Sequence, residues 1–482
     1  MPELFLGLDV GTKNVKAIIL SSDGVVVEKS SVPLYDLLYQ PSEDFCERDP
    51  QVLWERVKEC LSRLKFLSKV SGICVDATSG TILLVDKDWK EICNLIMYND
   101  SRGKKEVIEL REKSSAAREF EKYLPLAPQL VVPKLMWLKK NFRAFKRTYK
   151  VLHESDYIVF KLSGEIITSS NTAGKSHALL QGQGYVKKVY EDAEVPIEIM
   201  PEIKPIGETI CYSNEKMEEL GVPKGTPIVN GVTDATAGDI TSGALNSGQA
   251  NCTIGTSLTV HAVTDKIVPD EQGRFYYKTY VNNLYLAGGF TNAGTTAIDT
   301  ISKITKMSLE ELTDAAKNVP VGCDGLLACS EWFGVRVPKP YPQVKGFIFG
   351  MTEKNMSPAH IFRSLLEGSA ITLKLMLSAV EEVTGTVFHE LRVSGGASKN
   401  ILLMQIVADA IGKSVKVVEE PDSALGSAMI AACGIGKQDL NILVNKTVKI
   451  KTRIEPNTKN KFIYDSLAER YKKLIQTLAY IN

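Results

Sequence analysis

Residues 5–10 and 15–20 are two short apolar runs separated by Gly11-Thr12-Lys13-Asn14, a pattern that predicts two buried strands joined by a tight polar turn. A glycine at the corner can take a positive φ and lets backbone N–H groups approach an anion, and Thr12 adds a hydroxyl donor. Asp9 would repel that anion unless a divalent cation lay between them. The stretch therefore reads either as a Mg-nucleotide phosphate site or as an ordinary hairpin turn. The pattern returns half a chain length later, where residues 249–263 again set Gly255-Thr256-Ser257 between strand-like runs. Self-similarity at that period predicts two related lobes, each offering one phosphate loop.

The apolar pattern between these loops predicts a third strand at 25–27, completing an antiparallel meander, and a helix over 50–70. In that helix Asp49 is the cap, Pro50 the first residue, and Leu53, Val57, Leu61 and Leu64 the buried stripe. Residues 70–75 form another buried run, ending in Asp76-Ala77-Thr78-Ser79-Gly80-Thr81; residues 95–98 end in Asn99-Asp100-Ser101-Arg102. Strand ends rich in carboxylate, amide and guanidinium suit a polyhydroxylated ligand, whose every hydroxyl wants a donor and an acceptor. The first of them reads equally well as a capped turn. Asn171-Thr-Ala-Gly-Lys-Ser176 has the look of the end of a Walker A loop, but Ser169 stands where that motif needs glycine, so a P-loop is excluded.

A strand then runs into Asp234, followed by small residues to Gly243. This places a carboxylate just ahead of the second Gly-Thr loop and makes Asp234 the candidate catalytic base, with a helix cap as the alternative. In the second half a helix is predicted over 358–383. After it, residues 391–394 lead through Gly395-Gly396-Ala397 to Asn400 and a helix from 401 to about 411. Glycines there leave room for a flat ring on bare backbone, and a helix N-terminus favours phosphate, so an adenosine pocket is predicted. The small-residue helix at 422–432 is expected to pack behind that pocket. Residues 459–482 read as an amphipathic helix with Phe462, Leu467, Tyr471, Leu474 and Leu478 buried.

Composition narrows the function classes. A chain of 482 residues with 44% hydrophobic and 24% charged positions predicts two domains. A net charge of +1 offers no field for nucleic acid or a membrane surface, so small molecules are the expected partners. Without a signal-peptide pattern or a run approaching 18 apolar residues, the chain is expected to be cytoplasmic. Nine cysteines without a Cys-x-x-Cys pair and five scattered histidines predict buried thiols and no structural metal.

Across nearly its whole length, and in order, the chain resembles the FGGY carbohydrate kinases, a branch of the actin-like and hexokinase-like ATPases. Asp9-Val-Gly-Thr12, Ile254-Gly-Thr-Ser257 and Val393-Ser-Gly-Gly-Ala397 are similar to that family's two phosphate motifs and its adenosine motif. Gly346-Phe-Ile-Phe-Gly-Met351 with His360-Ile361 and Ser364-Leu-Leu-Glu367 is similar to the C-terminal signature. Pro133-Lys-Leu-Met-Trp-Leu138 keeps the core of the N-terminal one, from which Gln129 and Val131 depart.

The resemblance implies an α/β protein with a two-lobed, duplicated ribonuclease H-like (actin-like ATPase) fold, mixed sheets and a deep interdomain cleft. The lobes would be residues 1–243 and 244–482, the assembly a homodimer, and the cofactors ATP and Mg2+. It places the catalytic base at Asp234 and the metal-facing carboxylates, acting through water, at Asp9 and Asp234. Nucleotide contacts fall to Asp9, Gly11, Thr12, Lys13, Gly255, Thr256, Ser257, Gly395, Gly396, Ala397 and Asn400, and sugar contacts to Asp76, Ala77, Thr78, Asn99, Asp100, Arg102 and Asp234.

The expected reaction is phosphorylation of the terminal hydroxyl of a ketopentose. Asp76-Ala-Thr-Ser-Gly-Thr81 is similar to the Asp-x-Thr-Ser/Cys pattern of ribulokinases, and Glu331-Trp-Phe-Gly-Val-Arg336 to a segment of L-ribulokinases, so ribulose is favoured, the L-isomer ahead of the D-isomer. Xylulose or another polyol is the alternative. A non-metabolic ATPase of the same fold and a sugar-sensing regulator are the readings from other classes; neither a client-binding domain nor a basic helix-turn-helix segment is evident for them.

Overall fold

The computed structural model describes residues 2–34 and 37–481. By its contacts the chain forms two units: Met1–Gly243 with Lys278–Asn283 and Asp422–Val448, and Ala244–Tyr277 with Leu284–Pro421 and Lys449–Asn482.

The first unit is built on a six-stranded mixed sheet of β1 (Leu4–Val10), β2 (Asn14–Ser21), β3 (Val26–Pro33), β4 (Val70–Ala77), β5 (Thr209–Tyr212) and β6 (Pro227–Val229), in the order β5-β6-β4-β1-β2-β3. Strands β1 to β3 form the predicted antiparallel meander, while β4 runs parallel to β1 and β6 parallel to β4. From Phe5 to Val10 every residue of β1 is buried, which is why the strand reads as a continuous apolar run rather than an alternating one.

The helix Pro50–Ser62 covers one face with Leu53, Val57 and Leu61. It ends earlier than its apolar spacing predicts, because the Glu28 carboxylate accepts from the amides of Lys65 and Phe66 and draws the chain out of the helix. The helix Ser423–Gly436 packs against the same sheet, not behind an adenosine pocket as expected. A Cβ on Gly7 would lie 1.9 Å from the Ala424 carbonyl oxygen, so glycine in β1 and small residues in the helix permit a close approach of the two backbones.

The second unit holds a seven-stranded sheet of β7 (Gln249–Ile254), β8 (Leu258–Thr264), β9 (Tyr276–Thr279), β10 (Tyr285–Thr291), β11 (Glu390–Ser394), β12 (Ser414–Val418) and β13 (Ile450–Ile454), in the order β9-β10-β8-β7-β11-β12-β13. Its hairpin β7-β8 is antiparallel, β11 is parallel to β7 and β12 to β11. This repeats the scheme of β1, β2, β4 and β6. Ser357 caps the long helix Pro358–Thr384, and Gly385, at φ 69°, ends it. The helix Thr458–Ile481 buries Tyr464, Leu467, Tyr471 and Ile475, whereas Phe462 is exposed and Leu474 and Leu478 are half-buried. Its buried stripe is set by two tyrosines whose hydroxyls reach Glu367 at 3.3 Å and Thr372 at 3.1 Å on the long helix.

Candidate active site

Parallel pairing of β1 with β4 sets Asp9 beside Asp76, and an isolated parallel bridge between Ala77 and Thr233 brings the start of the helix Asp234–Ser242 to the same strand ends. Three carboxylates thus converge at one edge of the first sheet. Asp9 and Asp76, 4% and 0% exposed, stand opposite each other in the parallel register. Burial first, then the charge of Asp234, pushes Asp9 up to about 7; burial and Asp9 hold Asp76 well above the carboxylate range. Asp76 Oδ2 accepts from Ser427 Oγ at 2.5 Å and Lys16 Nζ lies 3.8 Å from Asp9.

The Oδ1 atoms of Asp9 and Asp76 have no hydrogen-bond donor among the described residues. A buried carboxylate pair with orphaned oxygens fits a divalent cation of the Mg2+ type, which takes one or two carboxylates and completes its shell with water and phosphate oxygens. Among the described residues no group of three or more His, Cys, Asp or Glu side chains is arranged to hold a metal by itself. Asp234 is half-buried, and its Oδ1 accepts only the amide of the next residue, Ala235, at 2.7 Å. Burial raises its pKa against that amide and the ammonium groups of Lys278 and Lys175.

Two groups that the sequence did not single out hold this edge together. Fully buried Arg48 donates to Glu154 Oε1 at 3.0 Å and to the carbonyls of Thr12 at 2.8 Å and Gly11 at 3.4 Å. Glu154 Oε2 in turn accepts from the Thr78 hydroxyl at 2.5 Å and from its amide at 3.3 Å. One ion pair therefore ties the first Gly-Thr loop to the strand end after β4. Lys134 of the N-terminal signature is fully buried and donates to the Gly80 and Met97 carbonyls, at 3.0 and 2.7 Å; burial lowers it to about 7.

Several expected ligands have other work. The Thr78 hydroxyl is engaged by Glu154 and Thr81, and Ala77 contributes backbone pairing. Asp100 accepts the Cys46 amide and a two-pronged contact from Arg102, which also reaches Glu47 at 2.6 Å and stacks on Phe45 and Trp137. These opposite charges, two residues apart, pair with each other and shape the loop. Arg102 lines a cavity of about 620 Å³ whose walls include none of Asp9, Asp76 and Asp234. Asn99 and Lys13 are exposed.

In the second unit the two predicted nucleotide motifs are neighbours. Thr253 and Ser394 pair across β7 and β11 with hydroxyls 3.1 Å apart, so Gly255 and Gly395 follow adjacent strand ends. Gly11 does not take the positive φ open to it, and Gly255 does not either. Gly255 offers space instead: a Cβ there would meet nothing within 4 Å, and the same holds at Gly396. Left-handed backbone appears at Gly395, at φ 89°, where a Cβ would also stand 2.6 Å from the Ile254 carbonyl oxygen. Thr256 and Ser257 are exposed and Ala397 is half-buried. Asn400 caps the following helix through Leu403 and donates to Thr313. Gly294-Thr295-Thr296, which the sequence reading passed over, braces the loop from below: the Thr295 amide and Thr296 hydroxyl donate to the carbonyls of Gly255 and Thr256.

The N-terminal domain model of the FGGY family of carbohydrate kinases matches residues 4–241, and the C-terminal domain model matches residues 250–435. The chain belongs to the FGGY family of carbohydrate kinases. It is therefore an ATP-dependent phosphotransferase with an alcohol acceptor. The kinase is 25% identical to the xylulose kinase of Bacillus subtilis, over 97% of this chain and 96% of that protein. It is 24% identical to the gluconokinase of the same organism, over 91% and 89%. The crystal structure of xylulose kinase from Rhodospirillum rubrum superposes with a TM-score of 0.92 at 25% identity, covering 99% of each chain. No helix among the described residues is long and apolar enough to cross a membrane.

Proposed function

We propose that this kinase transfers the γ-phosphoryl group of ATP to a terminal hydroxyl of a small open-chain sugar bound against the first sheet, with Asp234 as general base. The observation that carries the reading is the convergence of Asp9, Asp76 and Asp234 on three parallel strand ends beside the first Gly-Thr loop. Asp234 takes the hydroxyl proton as the oxygen attacks; its carboxylate is held near two ammonium groups and is half-sheltered from water, which suits a base that must reload between turnovers. Mg2+ at Asp9 and Asp76, when bound, offsets charge on the phosphoryl oxygens. The Arg48–Glu154 pair fixes the first loop, and the backbone at Gly255 and Gly396 supplies uncrowded donors for the nucleotide.

The relatives named above are xylulose kinases and a gluconokinase, which favours xylulose over ribulose among neutral ketopentoses. A coupled ADP-release screen over D-xylulose, L-xylulose, D-ribulose, L-ribulose, glycerol and erythritol tests this. Turnover with a pentulose but not with glycerol is expected; ATP hydrolysis indifferent to every sugar would sink the reading.

A further inference from the structure

The stretch 171–176, excluded above as a P-loop, is pinned along its length within the first unit. The Ser176 hydroxyl lies 2.9 Å from His153 Nε2, the other ring nitrogen of His153 lies 2.7 Å from Asp156 Oδ2, and the Ser176 carbonyl accepts from the Tyr190 hydroxyl at 2.6 Å. Nearer its start, the Thr172 amide donates to Ser169 Oγ at 3.1 Å and the Gly174 amide to the Asn171 carbonyl at 3.2 Å. Asn171, 4% exposed, therefore presents its side-chain amide from a fixed backbone.

That amide works on the beginning of the helix Asp234–Ser242. Its Oδ1 accepts the Thr233 amide at 2.8 Å, and its Nδ2 donates to Thr236 Oγ1 at 3.2 Å and to the Thr279 carbonyl at 2.6 Å. Thr279 lies in the segment Lys278–Asn283, which belongs by its contacts to the first unit. Thr233 is the N-cap, and its own side chain caps no helix amide. In a capping box the third helical residue reaches back to the N-cap amide. Here the third residue is Thr236, and an asparagine 62 positions upstream takes the N-cap amide and ties Thr236 to it.

The residue enclosed by that box is Asp234. Its carbonyl accepts from Ser423 Oγ at 2.9 Å, and the parallel bridge of Ala77 with Thr233 holds the preceding residue, so its backbone is fixed on both sides. Its carboxylate accepts only the Ala235 amide. A base must stand within about 0.5 Å of its productive position and still keep its oxygens available; a rigid backbone under a lightly held carboxylate meets both needs. An uncharged amide supplies one acceptor and two donors at this reach, whereas a serine hydroxyl would leave the Thr233 amide or the Thr279 carbonyl buried and unpaired.

Resting on the reading of Asp234 as general base, we infer that Asn171 is the positioning residue of that base. Its amide sets where the helix begins, and so where the Asp234 carboxylate stands, without touching acceptor or nucleotide.

The test is ADP release with ATP and whichever of the six sugars in the screen above turns over fastest. Asn171→Ala should lower kcat by about 10- to 100-fold, with the KM for ATP and for the sugar each within about threefold of the parent. If that protein fails to fold, Thr236→Val decides: it keeps the size of the side chain, removes one partner of the amide, and should lower kcat by about threefold or more in the same pattern. An asparagine that only anchored its own turn would reduce the same factor in any background. In Asp234→Asn, by contrast, neither substitution should take more than about a further twofold from the residual rate, because the group they position is already gone. Undiminished kcat in the folded variants, a KM rise in its place, or the full loss repeated on top of Asp234→Asn overturns the inference and leaves the kinase reading standing. Near-parent turnover by Asp234→Asn itself, or inertness toward all six sugars, overturns both.

Discussion

In the first sheet β1 ends in Asp9-Val-Gly-Thr12, and β4 sets Asp76 beside Asp9; in the second, β7 ends in Thr253-Ile-Gly-Thr256, and β11 sets Ser394 beside Thr253. The register is the same and the chemistry differs. A pair of carboxylates stands where the other sheet has a pair of hydroxyls. Carboxylates tolerate a phosphate nearby only with a cation between, while hydroxyls and open glycine backbone accept phosphate oxygens directly. On the proposed reaction, one scaffold used twice divides the labour of phosphoryl transfer: charge and proton handling at the first sheet, neutral donation to the nucleotide at the second.

The comparison is tested most strongly at Asp234, the first residue of the helix that follows β6. Asp234→Asn keeps the shape and removes the proton acceptor, so kcat should fall by about 10³-fold or more, the upper range of general-base contributions. ADP binding followed by calorimetry should persist. Near-normal turnover would leave the acidic edge without its chemical role.

The next effect is on stability. Asp9 has its proton bound up to about pH 7 in the folded chain and only to about 3.8 when unfolded. The native state holds more protons across that window, so stability without divalent cations should decline as pH rises through it. At about 1.4 kcal/mol per pKa unit the loss approaches roughly 4 kcal/mol, with Asp76 adding in the same direction. Of this, roughly 2.7 kcal/mol falls between pH 5 and pH 8 and is read from the denaturation midpoints there; Asp9→Asn should flatten the slope, added Mg2+ should restore the midpoint at pH 8, and Thr253→Val should show no comparable slope. A wild-type midpoint that ignores pH would mean the acid pair is not strained.

How legible this was follows from which forces act locally. Asp9, Asp76 and Asp234 were readable because each closes an apolar run, and such runs name a strand and its end. Arg48 and Glu154 were not, since a pair 106 residues apart meets only through the fold. The pairing of Asp100 with Arg102 was within reach of the sequence, since two opposite charges in one short loop readily satisfy each other. Positive φ was expected at Gly11, but the turn closes through Gly11 N to Asn14 O, so the bend falls on Thr12 and Lys13.

The manner in which each loop is braced sharpens the contrast further. Glu154→Ala strands a buried guanidinium and should destabilise the protein by about 3 kcal/mol or more, read from the urea midpoint. The second loop is braced by neutral donors, so Thr296→Val should cost only about 1 kcal/mol. Equal costs would mean that charge contributes nothing special at the first sheet.

Smallest in stability, and most diagnostic for the second sheet, is Gly255→Ala. The residue has an ordinary φ and its new methyl would meet no protein atom within 4 Å, so the folded state should change by less than about 0.5 kcal/mol. The methyl would nonetheless occupy the space through which a phosphate approaches the backbone, and crowding by one carbon is worth about 1–3 kcal/mol in a binding site, so the KM for ATP should rise about tenfold or more. Gly395→Ala serves as the contrast, because left-handed backbone and a 2.6 Å approach to Ile254 make its penalty fall on folding. If Gly255→Ala bound ATP as tightly as the parent, open backbone at the second strand end would not be where the nucleotide is received, and the neutral half of the division would have to lie with the Thr256 and Ser257 hydroxyls alone.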